Sequence, residues 1–202
     1  MISIEDIMSI SKSDLKEASR ALSKDDVPQL VEWLSLKDDN VRYQAFLLLQ
    51  SRSSFFEDVY PHWDSFLNKL KSDNSYQRSI GLMLIAENVK WDTQRKIVDI
   101  IDDFLKLLND EKPITIRQCI QSLGKISSFQ PGLNDRIASG LLSINLMAVK
   151  ETMRKSILLD ILNVLLVIRK DLKTDEIESF ILSALSGEIL DRKSKKQIEA
   201  LL

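Results

Sequence analysis

Arginine returns at a near-constant interval along this chain. Arg42, Arg78, Arg117 and Arg154, with Lys195 in the next equivalent place, are separated by 36, 39, 37 and 41 residues. Each stands just inside what reads as the second helix of a helical pair. A fixed period of that length constrains the fold more than any other feature, because a two-helix unit cannot bury its apolar face alone and must stack on its neighbours to build a continuous core.

Composition agrees with helices. The 202 residues are 44% hydrophobic and 29% charged, with five glycines and four prolines, which supplies core material and charge but little hairpin-turn chemistry. The reading is a single all-α domain over residues 1–202. Net charge is −2 with the signs interleaved, so no global field draws in a polyanion or an acidic membrane. Cys119 is the only cysteine, which excludes an internal disulfide and fits a reducing, cytoplasmic setting. The first twenty-two residues alternate apolar and charged positions, unlike a signal peptide. The most apolar run, Ile157 to Ile168, carries Asp160 and Asn163 and falls short of the roughly twenty apolar residues of a spanning helix.

Turn formers divide the chain into a helical cap over 1–23 and repeats over about 24–55, 56–91, 92–130, 131–172 and 173–202. Ser3 with Asp6, and Asp26 before Pro28, read as helix caps. The first helices of the pairs are expected from Asp26 to Leu36, Asp58 to Lys71 and Thr93 to Asn109. The breaks are Lys37 to Asn40, Ser72 to Asn74 and Asp110 to Lys112, and second helices resume at Val41, Tyr76 and Pro113. Apolar residues at similar spacing in the first helices (Leu30-Val31-Leu34, Phe66-Leu67-Leu70, Phe104-Leu105-Leu108) give a second aligned track.

The pattern of acidic turn, apolar-Arg and apolar run, written DDNVRYQAFLLL and more loosely DNSYQRSIGLMLI, resembles the HEAT and armadillo class of helical repeats. The match is good over residues 24–170 and looser beyond, where Lys195 replaces arginine and the fourth turn lacks an Asp before Arg154. The resemblance implies a right-handed α-solenoid of about five antiparallel helix pairs. It also implies that turn acid and arginine commonly bond between neighbouring repeats, a chemistry that Asp39, Asp73 and Asp110 make available here. It leaves function open, since such repeats serve as scaffolds, adaptors, transport receptors and a few enzymes.

Chemistry-bearing residues are sparse. His62 is the single histidine, set between Pro61 and Trp63 at a helix start, with no nucleophile or metal partner in the pattern. Asp99, Asp102 and Asp103 share a helix face and could attract a hard cation, but Ile100, Ile101, Phe104 and Leu105 mark the opposite face as buried and a solvated acidic stripe needs no ion. Phosphate loops, GxSxG and HExxH are absent. No enzyme, no cofactor and no metal is expected. The alternative is a HEAT-like DNA glycosylase or another nucleic-acid-binding repeat protein. It would need Trp33, Trp63 and Trp91, with Asp64 and Asp92 beside two of them, on a basic concave wall.

The remaining surface is the outward side of the second helices. Placing Val41, Ala45, Leu48 and Leu49 in the core turns Tyr43, Gln44 and Leu47 away from it. The matching positions are Ser79, Ile80 and Met83, then Gln118, Cys119 and Ser122, then Lys155, Ser156 and Leu159. A row through Tyr43, Leu47, Ile80, Met83, Ser122 and Leu159, poor in charge, suits a peptide or helix of another protein and reads as a scaffold or adaptor surface. The competing reading is that these helices are apolar all round because neighbours, the N-terminal helices among them, cover them.

Overall fold

The computed structural model describes residues 2–202, and among them twelve α-helices form and no strand. The chain divides into two compact units, Met1–Arg95 and Lys96–Leu202, where the sequence predicts one domain.

The first unit holds α1 (Ile4–Ser9), α2 (Leu15–Ala21), α3 (Val27–Trp33), α4 (Asp39–Ser53), α5 (Trp63–Lys69) and α6 (Ser75–Asn88). The helix starts follow from side chains that satisfy the free amides of a first turn. Ser3 and Asp6 form a reciprocal capping box, the Asp38 carboxylate accepts from the Asn40 and Val41 amides, and the Asn74 side chain accepts from Tyr76. Asp26 departs from expectation. A 3-10 turn over Lys24–Asp26 precedes α3, so the cap moves back to Ser23, and the Asp26 carboxylate accepts from the backbone amides of Ser23 and Ile2. The expected helix from Asp58 is also shorter: Tyr60–His62 form a 3-10 turn and α5 is confined to Trp63–Lys69.

α4 is the spine of this unit, packed by α1, α2, α3 and α6, while α5 packs along α6. Leu30, Leu34, Leu48, Leu49, Phe66 and Leu82 are fully buried, and each side chain of that size contributes about 1.5–3 kcal/mol by leaving water. Gly81 permits the α5–α6 contact. A Cβ there would stand 2.7 Å from the Phe66 carbonyl oxygen and 2.9 Å from Leu70 Cδ2, so only glycine lets the two backbones approach this closely.

The N-terminal segment forms α1 and α2, both packed on α4, and a buried arginine bonds the end of α2. Arg52, near the end of α4 and 4% exposed, donates to the carbonyls of Ser19 and Leu22 at 2.9 and 2.8 Å. Its Nε and Nη2 grip Asp58 at 2.6 to 3.1 Å, and its guanidinium lies 4.5 Å from the Phe56 ring centroid. Ser19 also bonds Ser51 at 2.8 Å, and the Gln44 amide donates to the Ile10 carbonyl at 3.1 Å.

The second unit holds α7 (Lys96–Lys106), α8 (Pro113–Phe129), α9 (Asn134–Leu142), α10 (Glu151–Ile168), α11 (Asp175–Ser186) and α12 (Arg192–Glu199). α8 and α10 form its centre; α7 and α9 pack on α8, and α9, α11 and α12 pack on α10. Pro113 opens α8 where a missing N–H is harmless, and Thr174 and Asp191 cap α11 and α12 through their side chains. The Ile157 to Ile168 run is a core segment of α10, and among the described residues no helix is long and apolar enough to cross a membrane.

Candidate functional site

The periodic arginines serve the turns that precede them. Arg42 donates to the Leu36 carbonyl at 2.8 Å and pairs with Asp39; Arg78 donates to the Ser72 and Asp73 carbonyls at 2.8 and 3.0 Å; Arg154 donates to Val149 and Met147 at 3.0 Å. In each case the guanidinium folds back onto carbonyls of the preceding turn, five to seven residues upstream, where the chain between helices offers few backbone donors. Arg42 thus meets the expected turn acid Asp39, and Arg78 and Arg154 also bond turn carbonyls. Arg117 reaches across to another long helix: Nε donates to Asp160 Oδ2 of α10 at 2.5 Å, and Gln121 adds a bond to Oδ1 at 3.0 Å. That pairing holds Arg117 firmly charged, since its pKa is raised first by the hydrogen bond to Asp160.

Burial differs from helix to helix along the anticipated row. On α4, α6 and α10 the residue five past the arginine (Leu47, Met83, Leu159) is half-buried on the outward side. On α8 that residue is Ser122, which is 3% exposed, and Cys119 is buried beside it. On α8 it is Gln121 and Lys125 that take the open positions. Ile80 is likewise buried, at 6%, on a helix packed by both α4 and α5. Tyr43 is open, at 53% exposure, and Tyr76 more so, at 68%. The N-terminal pair covers the Gln44 and Ser51 edge of α4, leaving Tyr43, Leu47 and Gln50 as its solvent-side stripe. In the first unit the accessible surface is therefore an aromatic and thioether stripe of Tyr43, Leu47, Tyr76 and Met83; in the second it is the more polar Gln121, Lys125, Ser156 and Asn163.

The other candidates settle into structural places. The Cys119 thiol is fully buried, its pKa pushed up by burial, and its sulfur contacts the Phe104 carbonyl at 3.2 Å. His62 is half-buried at the start of α5, where burial lowers its pKa and the nearby Asp58 charge opposes the shift. Asp103 pairs with Lys106 at 2.8 Å and Asp102 with Arg136, and among the described residues no group of three His, Cys, Asp or Glu side chains could hold a metal ion. Trp33 and Trp63 are buried, Trp91 donates its indole N–H to the Ser53 carbonyl at 2.9 Å, and buried Asp92 accepts from Tyr60 at 2.8 Å. Trp91 is half-buried and Asp64 is exposed.

A groove that the sequence pattern did not signal lies between the α3–α4 and α5–α6 turns of the first unit, with a volume of about 780 Å³. Its lining includes Lys37, Arg42 and Lys69 against the single carboxylate of Asp39. Lys69 is half-buried and donates to two neutral acceptors, Ser35 Oγ at 3.0 Å and Gln77 Oε1 at 2.5 Å. Gln77 is oriented by its amide bond to the Leu34 carbonyl at 2.8 Å. Burial lowers the Lys69 pKa and the Arg42 charge lowers it further. A scan against protein-family models finds no match for this chain, and a search of curated proteins finds no relative.

Proposed function

We propose that this chain is a non-catalytic binding module, a scaffold or adaptor of the HEAT-like solenoid type, which presents the outward side of its long helices to another protein. The observation that supports it is the pair of exposed tyrosines, Tyr43 and Tyr76, on successive long helices of the first unit, flanked by half-buried Leu47 and Met83. Tyrosine and methionine gain from apolar burial while tolerating imperfect matches, and aromatic anchors dominate protein interfaces. Ile80 and Ser122 drop out of the proposed contact set because they are already buried, and Leu159 stays as the half-buried member on α10. The test is site-specific photo-crosslinking in the native host, with benzoylphenylalanine at Tyr43 and, as control, at the exposed Lys106 of α7. A discrete protein adduct from position 43 that is missing from position 106 supports the reading. Identical adduct patterns from both positions refute it.

A further inference from the structure

The α3–α4/α5–α6 groove has a chemistry that neither the repeat nor the outward stripe requires. Structural lysines are ordinarily paired with carboxylates or extended into water, because an ammonium held away from both is poorly solvated. Lys69 is half-buried, and among the described residues its ammonium donates to a hydroxyl and an amide oxygen and to no carboxylate. Arg42, 8% exposed, adds a second positive charge close enough to be felt by Lys69. Lys37 lines the same space from an exposed position, and the only carboxylate there, Asp39, is already engaged by Arg42. Three cations against one carboxylate leave an excess of two positive charges, surrounded by neutral donors such as the Ser35 hydroxyl and the Asn68 amide.

From this arrangement we infer that the groove binds a phosphate monoester. A dianion neutralises the excess charge, and its three terminal oxygens accept from several donors at once, as a monoanionic carboxylate does less completely. The volume suits a small ligand or the end of a modified side chain. The Lys69 ammonium and the Arg42 guanidinium supply the charge, and Tyr76, exposed at the rim with its ring 5.9 Å from the Arg42 guanidinium carbon, offers a face to whatever carries the phosphate. Gly81 has an indirect part, because the close α5–α6 approach it permits brings Lys69 to Gln77.

The experiment is an amide and lysine-ammonium NMR titration of the full chain at low ionic strength with inorganic phosphate, O-phosphoserine, a phosphoserine peptide and acetate. Saturable shifts confined to residues 35–42 and 65–77 are expected, with acetate binding more weakly than phosphate. O-phosphoserine affinity should rise as pH increases from 5 to 7, because the ester loses its second proton with a pKa of about 6. Lys69→Gln should weaken binding at least tenfold. Lys37→Gln, at an exposed position with no contact to disturb, should weaken it about threefold, since phosphate affinity follows the cationic contacts. Lys106→Gln should change nothing. Tighter saturation by the peptide than by free O-phosphoserine assigns the phosphate to a protein partner, and equal saturation assigns it to a small ester. The inference is overturned if shifts fail to saturate, if they map outside the groove, or if Lys69→Gln and Lys37→Gln both bind phosphate as the unaltered chain does. The crosslinking test at Tyr43 stands or falls separately.

Discussion

Replacing Arg52 by methionine isolates what one buried guanidinium does for the N-terminal helices. Methionine keeps much of the volume and the apolar stem, so the loss is of charge and donors, while Asp58 stays in a site where its side chain is 11% exposed. Removing one partner of a buried ion pair costs about 3–5 kcal/mol, because the remaining charge is left without compensation. The Ser19 and Leu22 carbonyls lose their donors as well, at about 1–3 kcal/mol each if they remain buried. These losses do not simply add, since α1 and α2 can lift from α4 and let water reach the exposed groups. The total is capped by the free energy that docks that pair. We therefore expect opening of residues 2–22 to become easier by about 3 kcal/mol, a change of roughly two orders of magnitude in the opening constant. Hydrogen–deuterium exchange measures it directly at helix amides such as Ile7 and Leu22, with the α6 amides as the internal comparison. Asp58→Asn supplies the second edge of a double-mutant cycle: Arg52→Met and Asp58→Asn together should destabilise by clearly less than the sum of the single changes. Unchanged protection over residues 2–22, or additivity within about 0.3 kcal/mol, would show that Arg52 does not act through Asp58 and the two carbonyls.

Two further outcomes follow from particular contacts. Gly81→Ala should lower stability, because overpacking against the Phe66 carbonyl and Leu70 costs about 1–3 kcal/mol, outweighing the roughly 1 kcal/mol gain in helix propensity, whereas Gly132→Ala, with open space around it, should not; urea unfolding distinguishes them. Tyr60 is pushed up to about 12 by burial and its hydrogen bond to Asp92, so its folded pKa lies above the unfolded value near 10. Its contribution to stability is complete below pH 10 and is lost as pH rises through 12, where the unfolded state has already released the proton; spectrophotometric titration at 295 nm should show a late tyrosinate step that Tyr60→Phe removes.

The long helices were legible because their breaks announce themselves: Asp38, Asn74 and Pro113 stand at or beside the observed starts of α4, α6 and α8. The short first helices were less so, since Pro61 and Pro131 fall in 3-10 turns that shorten the α-helical stretch to follow. Several acceptors of Arg42, Arg78 and Arg154 were hidden, because backbone carbonyls leave no mark in a sequence while turn acids such as Asp39 do. The placing of Ser122 failed because α8 packs against α10, α9 and α7, and it is buried among them. Arg52 carried no local sign of its role, as a cation near a helix C-terminus is ordinary; only Asp58 six residues later hinted at a partner. Lys69 and Gln77 gave no cue either, since their meeting depends on how closely α5 lies on α6.

The backward fold of Arg42, Arg78 and Arg154 makes loop length, more than loop composition, the quantity under constraint. A guanidinium at the end of its tether reaches a carbonyl only when the intervening segment keeps its span, whatever side chains that segment bears. Substitutions at exposed Lys37 or Asp73 should thus leave the fold in place, whereas one residue inserted on either side of them would carry the acceptor out of reach and unseat the helix that follows.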